Sequence, residues 1–243
     1  MEITIERGFF SGLYSYEIAL LAMGVALFLV GIWALILAIR KDGSLVQPLA
    51  IFPFVLVFAG YPSLQAVKFD EAALALNRAA NTAVDQPRSP SQKQVIEDSA
   101  AMVLARAPSL HAQVVAANAY RAIGEVDKAY ALAEKVDAAK PPTDVAKALA
   151  PVFEAKLTQT VQELPIAETP GAAMDPAQMA QIDKLVKRLD TPAANLPAQT
   201  RVTIARGYLA LGDDAKAATN VDKALVLQHD VKVDPKVLQR LSR

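Results

Sequence analysis

Two long apolar runs near the start of the chain constrain its fold more than any other feature. Residues 18–39 read IALLAMGVALFLVGIWALILAI, without a charged side chain. A helix rises about 1.5 Å per residue, so this run is long enough to cross the roughly 30 Å hydrocarbon core of a bilayer. A second uncharged run extends from Gly43 to Val67 and contains three prolines. We therefore predict a membrane anchor in residues 1–67, with transmembrane helices at about 18–39 and 45–66.

A cleaved signal peptide is the alternative interpretation of the first run. The leader MEITIERGFFSGLYSYE has mixed charge rather than a basic character. The run is also too long for the apolar region of a signal peptide, and a second run follows it. Both features favour a spanning helix. The aromatic residues of the leader suit the headgroup region of a membrane; they are Phe9, Phe10, Tyr14 and Tyr16.

Charged residues beside the two runs predict their orientation. Arg40 and Lys41 stand against Asp42 in the short turn, whereas the leader contains more acidic than basic residues. The positive-inside rule keeps the turn in the cytoplasm and sends both ends outward. In a bacterial inner membrane, residues 68–243 would then be periplasmic.

Small residues recur along the first predicted span. Gly24, Gly31 and Ala38 are spaced by seven positions, and small residues let membrane helices approach closely. This stripe packs either against the second span of the same chain or against another membrane subunit. Neither run contains an ionisable residue in its interior, which favours an anchor over a transport path.

Residues 68–243 are predicted to form a soluble domain that is entirely helical. Apolar residues follow the helical period, and proline and glycine mark the breaks. Pro151 should kink or split the helix that contains it. The predicted helices cover residues 70–83, 91–106, 110–122, 126–139, 143–161, 176–190, 197–211, 214–228 and 235–242.

Composition argues against several classes of function. Residues 68–243 carry 22 Lys and Arg against 21 Asp and Glu, so they lack the basic surface that nucleic acid binding requires. Cysteine is absent, and the two histidines, His111 and His229, are far apart in sequence. Phosphate-binding and hydrolase motifs are also missing. We expect neither an enzyme nor a metal, cofactor or small-molecule substrate.

A short pattern occurs twice in the helical region. AYRAIGEVDKAY at 119–130 and GYLALGDDAKAA at 207–218 each place Gly four residues after Tyr, and Ala five residues after that Gly. Glycine suits a tight turn, and alanine lets paired helices come close. The residues concerned are Tyr120, Gly124 and Ala129 in the first copy and Tyr208, Gly212 and Ala217 in the second.

On these residues, 110–141 and 198–229 resemble tetratricopeptide repeats. The resemblance implies an α-solenoid of degenerate helix pairs, whose first helices line a groove that takes a polypeptide. Val114 and Val202 stand where the family's carboxylate-binding lysine would be. The implied lining residues are His111, Val114, Asn118, Arg121, Gln199, Val202, Arg206 and Leu209.

Together these features predict a membrane-anchored, protein-binding scaffold. The first hypothesis is a periplasmic assembly factor or holdase for membrane or secreted proteins. The alternative is a permanent accessory subunit that stabilises a larger respiratory, photosynthetic or transport complex. The expected partners are proteins and the lipid bilayer.

Overall fold

The structure is a computed structural model that describes residues 5, 10–41, 45–81, 89–162, 164, 174–190 and 196–242. Every regular element in these residues is an α-helix, which confirms the predicted all-α class. The chain divides into a first unit, Glu2–Ala119, and a second unit that comprises Tyr120–Arg243. The predicted boundary between residues 67 and 68 lies inside a helix. Much of the leader, Asp42 and most of the segment between the predicted helices 143–161 and 176–190 lie outside the described residues.

The first unit consists of two long helices, a short helix between them and the helices that follow. Apolar side chains of the third and fourth helices form its core, among them Phe69, Leu76, Ile96 and Val103. The last helix of the unit continues into the second unit. The helices are α1 (Ser15–Arg40), α2 (Val46–Leu49), α3 (Phe52–Ala80), α4 (Pro90–Arg106) and α5 (Leu110–Ala122).

Helices α1 and α3 are both long and apolar enough to span a membrane. They run antiparallel, because a Cβ on Gly24 would meet Ala59, whereas one on Gly31 would meet Phe52. Few of their apolar residues are covered by the protein: only 11% of the most apolar window of α1 and 17% of that of α3 are buried. A core helix of a soluble protein would be mostly covered.

Helix α3 is longer than the predicted second span and differs from it at both ends. It begins at Phe52 rather than near residue 45, because Pro48 and Pro53 confine the preceding helical turn to the short α2. It then continues without a break to Ala80, although the sequence predicted a new helix at 70. The residues after Pro62 mostly favour a helix, so the change from apolar to charged residues near Lys68 does not end it.

The second unit contains short helices that match the predicted ones closely. Pro151 splits the predicted helix 143–161 as expected, and the break falls at Leu149. The helices are α6 (Val126–Ala138), α7 (Thr143–Ala148), α8 (Ala150–Gln162), α9 (Pro176–Leu189), α10 (Ala198–Leu211), α11 (Asp214–Leu227) and α12 (Pro235–Leu241).

Helices α8 and α10 lie at the centre of the second unit. Helix α8 contacts α6, α9 and α10, and α10 also contacts α9 and α11. The core contains fully buried Leu157, Ile182 and Ile204. At Gly207 in α10 a Cβ would lie 2.5 Å from Cγ1 of Val186, so glycine permits this close approach.

The first Tyr–Gly–Ala pattern forms the turn between α5 and α6. Gly124 has a φ of +85°, a backbone conformation that side chains other than glycine disfavour. The N–H of Glu125 donates to the carbonyl of Tyr120 at 2.9 Å and closes the end of α5. Lys128 Nζ then lies 5.9 Å from the centre of the Tyr120 ring, and Ala129 is fully buried.

The second pattern forms the turn between α10 and α11 with the same geometry. Gly212 has a φ of +81°, and the N–H of Asp213 donates to the carbonyl of Tyr208 at 2.9 Å. Lys216 Nζ lies 5.3 Å from the centre of the Tyr208 ring, and Ala217 is fully buried. The repeated sequence therefore folds into a repeated helix–turn–helix structure, down to the lysine above each tyrosine.

Candidate partner-binding surface

The predicted lining residues are divided between the two units. In the first unit, His111 is exposed and Asn118 is half-buried, with the Asn118 side-chain N–H donating to the carbonyl of Val114 at 3.1 Å. The Val114 side chain is only 1% exposed. Most residues of α5 are buried, and the resemblance to tetratricopeptide repeats gave no indication of this burial.

In the second unit, Gln199 is exposed, and Arg121 and Arg206 are half-buried. Val202 and Leu209 are each 3% exposed, because α8, α9 and α11 surround α10. Like Val114, these two apolar residues have no surface to offer a partner in this conformation. A partner-binding surface here would depend on the polar residues.

Arg121 has the most unusual environment of these residues. Its Nε atom is buried and has no hydrogen-bond partner among the residues that the structure describes. Burial lowers the pKa of this guanidinium, while the negative charge of Glu154 acts in the opposite direction. A buried donor without an acceptor has a desolvation cost, which the charge of Glu154 offsets only in part. Arg121 Nε is thus a buried donor whose hydrogen bond is not formed among the described residues.

Glu154 in α8 is held by a contact that the sequence did not predict. Thr200 Oγ1 in α10 donates to Glu154 Oε1 at 2.7 Å, and Thr200 is 1% exposed. This bond fixes the carboxylate while leaving it within electrostatic reach of Arg121. We name Arg121, Glu154 and Thr200 the Arg121 cluster. Glu154 and Thr200 carry no motif in the sequence, since only the packing of α8 and α10 brings them together.

A cleft of about 660 Å³ opens between α6, α8 and α9. The rings of Tyr130 and Phe153 meet there edge to face, with their centroids 6.1 Å apart. Its lining also includes charged residues of both signs from α6 and α9. The charged lining residues are Glu134, Asp137, Asp183, Lys184, Lys187 and Arg188.

These charges are paired with one another. Lys184 Nζ and the Tyr130 hydroxyl both donate to Glu134 Oε1, the latter at 2.7 Å. Arg188 donates to Asp137 at 2.7 Å and lies 5.5 Å from the centre of the Phe153 ring. The bond from Lys184 lowers the pKa of Glu134, whereas burial, followed by the bond to Glu134, raises the pKa of Tyr130. Lys184 and Arg188 therefore hold α9 against α6, whereas Lys187 pairs with Asp183 within α9.

Asp190 ties three helices of the second unit together. Its Oδ2 accepts from the Tyr208 hydroxyl at 3.0 Å and from the Asn220 amide at 3.3 Å. Arg201 lies 3.8 Å from its other oxygen. Burial, followed by the bond to Asp190, raises the pKa of Tyr208. The sequence pattern that contains Tyr208 did not predict this contact of its hydroxyl.

Among the described residues, no three His, Asp or Glu side chains are placed to hold a metal ion. His111 and His229 are both exposed. The chain matches no protein-family model, no curated protein and no solved structure. Its function is therefore inferred from its own residues and contacts.

Proposed function

We propose that the chain is a membrane-anchored scaffold whose second unit binds a polypeptide partner. Helices α1 and α3 form the anchor in a bacterial inner membrane, and the helical repeats act on the periplasmic side as an assembly factor or holdase. The repeats resemble tetratricopeptide units, and their partner is a segment of another membrane or secreted protein.

The exposed apolar surface of α1 and α3 supports the anchor. Leu29 and Trp33 in α1 are 60% and 65% exposed, and Leu56 and Val57 in α3 are 74% and 64% exposed. Water would leave this surface unfavourably solvated, and hydrocarbon chains would cover it without cost. Digestion of intact spheroplasts with protease tests the orientation: the second unit should be degraded, and its protection would contradict the periplasmic assignment.

The packing of the second unit supports the repeat assignment. The two turns at Gly124 and Gly212 share their backbone bond and their lysine–tyrosine contact. Helix α8 contacts α6 on one side and α9 and α10 on the other, which suits a stack of helix pairs. Solenoids of this kind present extended surfaces for binding other proteins.

Arg121 is the single observation that carries the proposal of binding. Arg121 is half-buried, its Nε has no acceptor among the described residues, and the nearby negative charge is that of Glu154, a carboxylate already bonded to Thr200. A partner that supplies acceptor oxygens would form charge-assisted hydrogen bonds with the Arg121 guanidinium. We therefore assign the main polar contact with the partner to Arg121.

Pull-down from gently solubilised membranes, with quantitative mass spectrometry, tests the proposal. Arg121→Met keeps the length of the side chain and removes its donors, so it should weaken capture of specific polypeptides about tenfold or more. Lys187→Met is the control, because Lys187 makes an exposed i,i+4 pair with Asp183. Equal capture by the parent and both variants would contradict a role for Arg121 in binding.

The permanent accessory subunit predicts a different result in the same experiment. Such a subunit would co-purify with its complex in a fixed ratio, whereas a holdase would exchange partners. The glycine stripe no longer favours the subunit, because Gly24 and Gly31 face α3 of the same chain. We therefore prefer the assembly factor or holdase.

A further inference from the structure

A buried ion pair joins the start of α1 to the end of α4. Arg106 Nη1 lies 3.0 Å from Glu17 Oε2, and Nη2 lies 3.3 Å from Oε1, so the guanidinium engages both carboxylate oxygens. The side chain of Glu17 is 0% exposed and that of Arg106 is 12% exposed. A pair buried to this degree is stable only while both partners are present.

The guanidinium of Arg106 also bonds to two other parts of the first unit. It donates to the carbonyl of Gly12 in the leader and to Gln65 Oε1 in α3, both at 3.0 Å. Its central carbon lies 5.0 Å from the centre of the Tyr14 ring. One side chain thus holds the leader, α1 and α3 to the end of α4.

The leader is fixed to α3 by two further contacts. Gly12 has a φ of +72°, and a Cβ there would overlap the buried ring of Phe69. The N–H of Ile5 donates to Asn77 Oδ1 at 3.0 Å. Ile5 and Gly12 therefore lie beside the part of α3 that extends beyond the apolar run, on the same side of the hairpin as α4.

On the basis of the membrane anchor proposed above, we infer that Arg106 is a latch that completes this anchor only when α4 docks. The two apolar helices alone leave Glu17 without its counter-charge at the point where α1 begins. Arg106 is 89 residues further along the chain and supplies that charge from outside the apolar run. The latch closes when the leader and α4 lie on the same side of the membrane, and it then fixes the first turn of α1.

Hydrogen exchange of the full-length protein in lipid nanodiscs tests this latch. The reporters are the amides of Glu17 and Ile18, which close the first turn of α1 on the carbonyl of Tyr14. Arg106→Met should speed their exchange about tenfold or more, because Glu17 is left buried and unpaired. Lys68→Met changes an exposed cation on α3 and should leave exchange within about twofold of the parent.

The double variant Glu17→Gln with Arg106→Met separates a latch from a general loss of folding. It removes both charges, so exchange should be slower than in Arg106→Met alone. Arg106→Lys should fall between the parent and Arg106→Met, because an ammonium cannot reproduce the planar set of donors. The latch is refuted if Arg106→Met exchanges like the parent, or if the double variant shows no recovery. If Arg106→Met does not accumulate, the double variant and Arg106→Lys decide by the same comparison with the parent.

Discussion

Gly24 in α1 lies against Ala59 in α3, so close that a Cβ on Gly24 would be 2.8 Å from the Ala59 nitrogen and 2.9 Å from its Cβ. The obstacle on the α3 side includes backbone, which cannot move aside as a flexible side chain can. At Gly24 the small-residue stripe therefore packs against α3 of the same chain. Close approach of the backbones is what holds two apolar helices together in lipid.

We expect Gly24→Leu to separate α1 from α3 and to destabilise the anchor by about 1–3 kcal/mol. Thermal unfolding of the purified protein in detergent measures this loss. Gly60→Leu is the matched control, since a Cβ there would meet no described atom within 4 Å. Equal melting temperatures for the two variants would show that the contact at Gly24 does not stabilise the hairpin.

Gly124→Ala and Gly212→Ala should each destabilise the second unit by about 1–2 kcal/mol, because alanine is strained at positive φ. None of the described residues lies within 4 Å of a Cβ on Gly124, so the cost there is conformational rather than steric. Denaturant unfolding followed by circular dichroism measures both variants. If the two turns are equivalent, the two variants lose the same free energy of unfolding. An unchanged denaturation midpoint for Gly124→Ala would contradict the positive φ at this residue.

The contacts of Glu134 predict a loss of stability in acid. Its pKa is lowered in the folded protein by the bond from Lys184, so its contribution is present above the unfolded value of about 4.3 and is lost as the pH falls. Lys184→Met should flatten the stability profile between about pH 5 and pH 3. An unchanged acid limb in this variant would refute the pairing.

The contacts of Tyr130 predict the opposite dependence in base. Burial raises the pKa of its phenol, so the stabilisation is present below the unfolded value of about 10 and is lost as the pH rises above it. Tyr130→Phe should remove this alkaline loss while retaining the ring contact with Phe153. Unfolding midpoints measured across alkaline pH test the prediction, which fails if both proteins lose stability equally.

The sequence predicted the helices well because their signals are local. Proline and glycine mark most helix ends in the second unit, and Pro151 splits its helix as its missing N–H requires. These local signals did not predict that α3 continues to Ala80, where a separate helix had been expected from residue 70. Nothing between Pro62 and Ala80 breaks a helix, and the change from apolar to charged residues alters only what surrounds it.

The candidate site was less predictable because it depends on contacts between distant residues. Arg121 was named from its place in a repeat, but its neighbour Glu154 and the bond from Thr200 depend on how α8 packs against α10. Glu17 was counted only as a leader charge, although Arg106 engages it from 89 residues away. No periodicity or motif encodes such pairs.

Photo-cross-linking in native membranes tests the central claim most directly. A photoreactive residue at Gln199, exposed beside Thr200 in α10, samples the surroundings of the Arg121 cluster, and one at Lys223, exposed on α11, is the control. The account predicts discrete adducts with other polypeptides from Gln199 that diminish when Arg121→Met is added, and few from Lys223. No adducts from Gln199, or equal adducts from both positions regardless of Arg121, would contradict a polypeptide-binding scaffold at this surface.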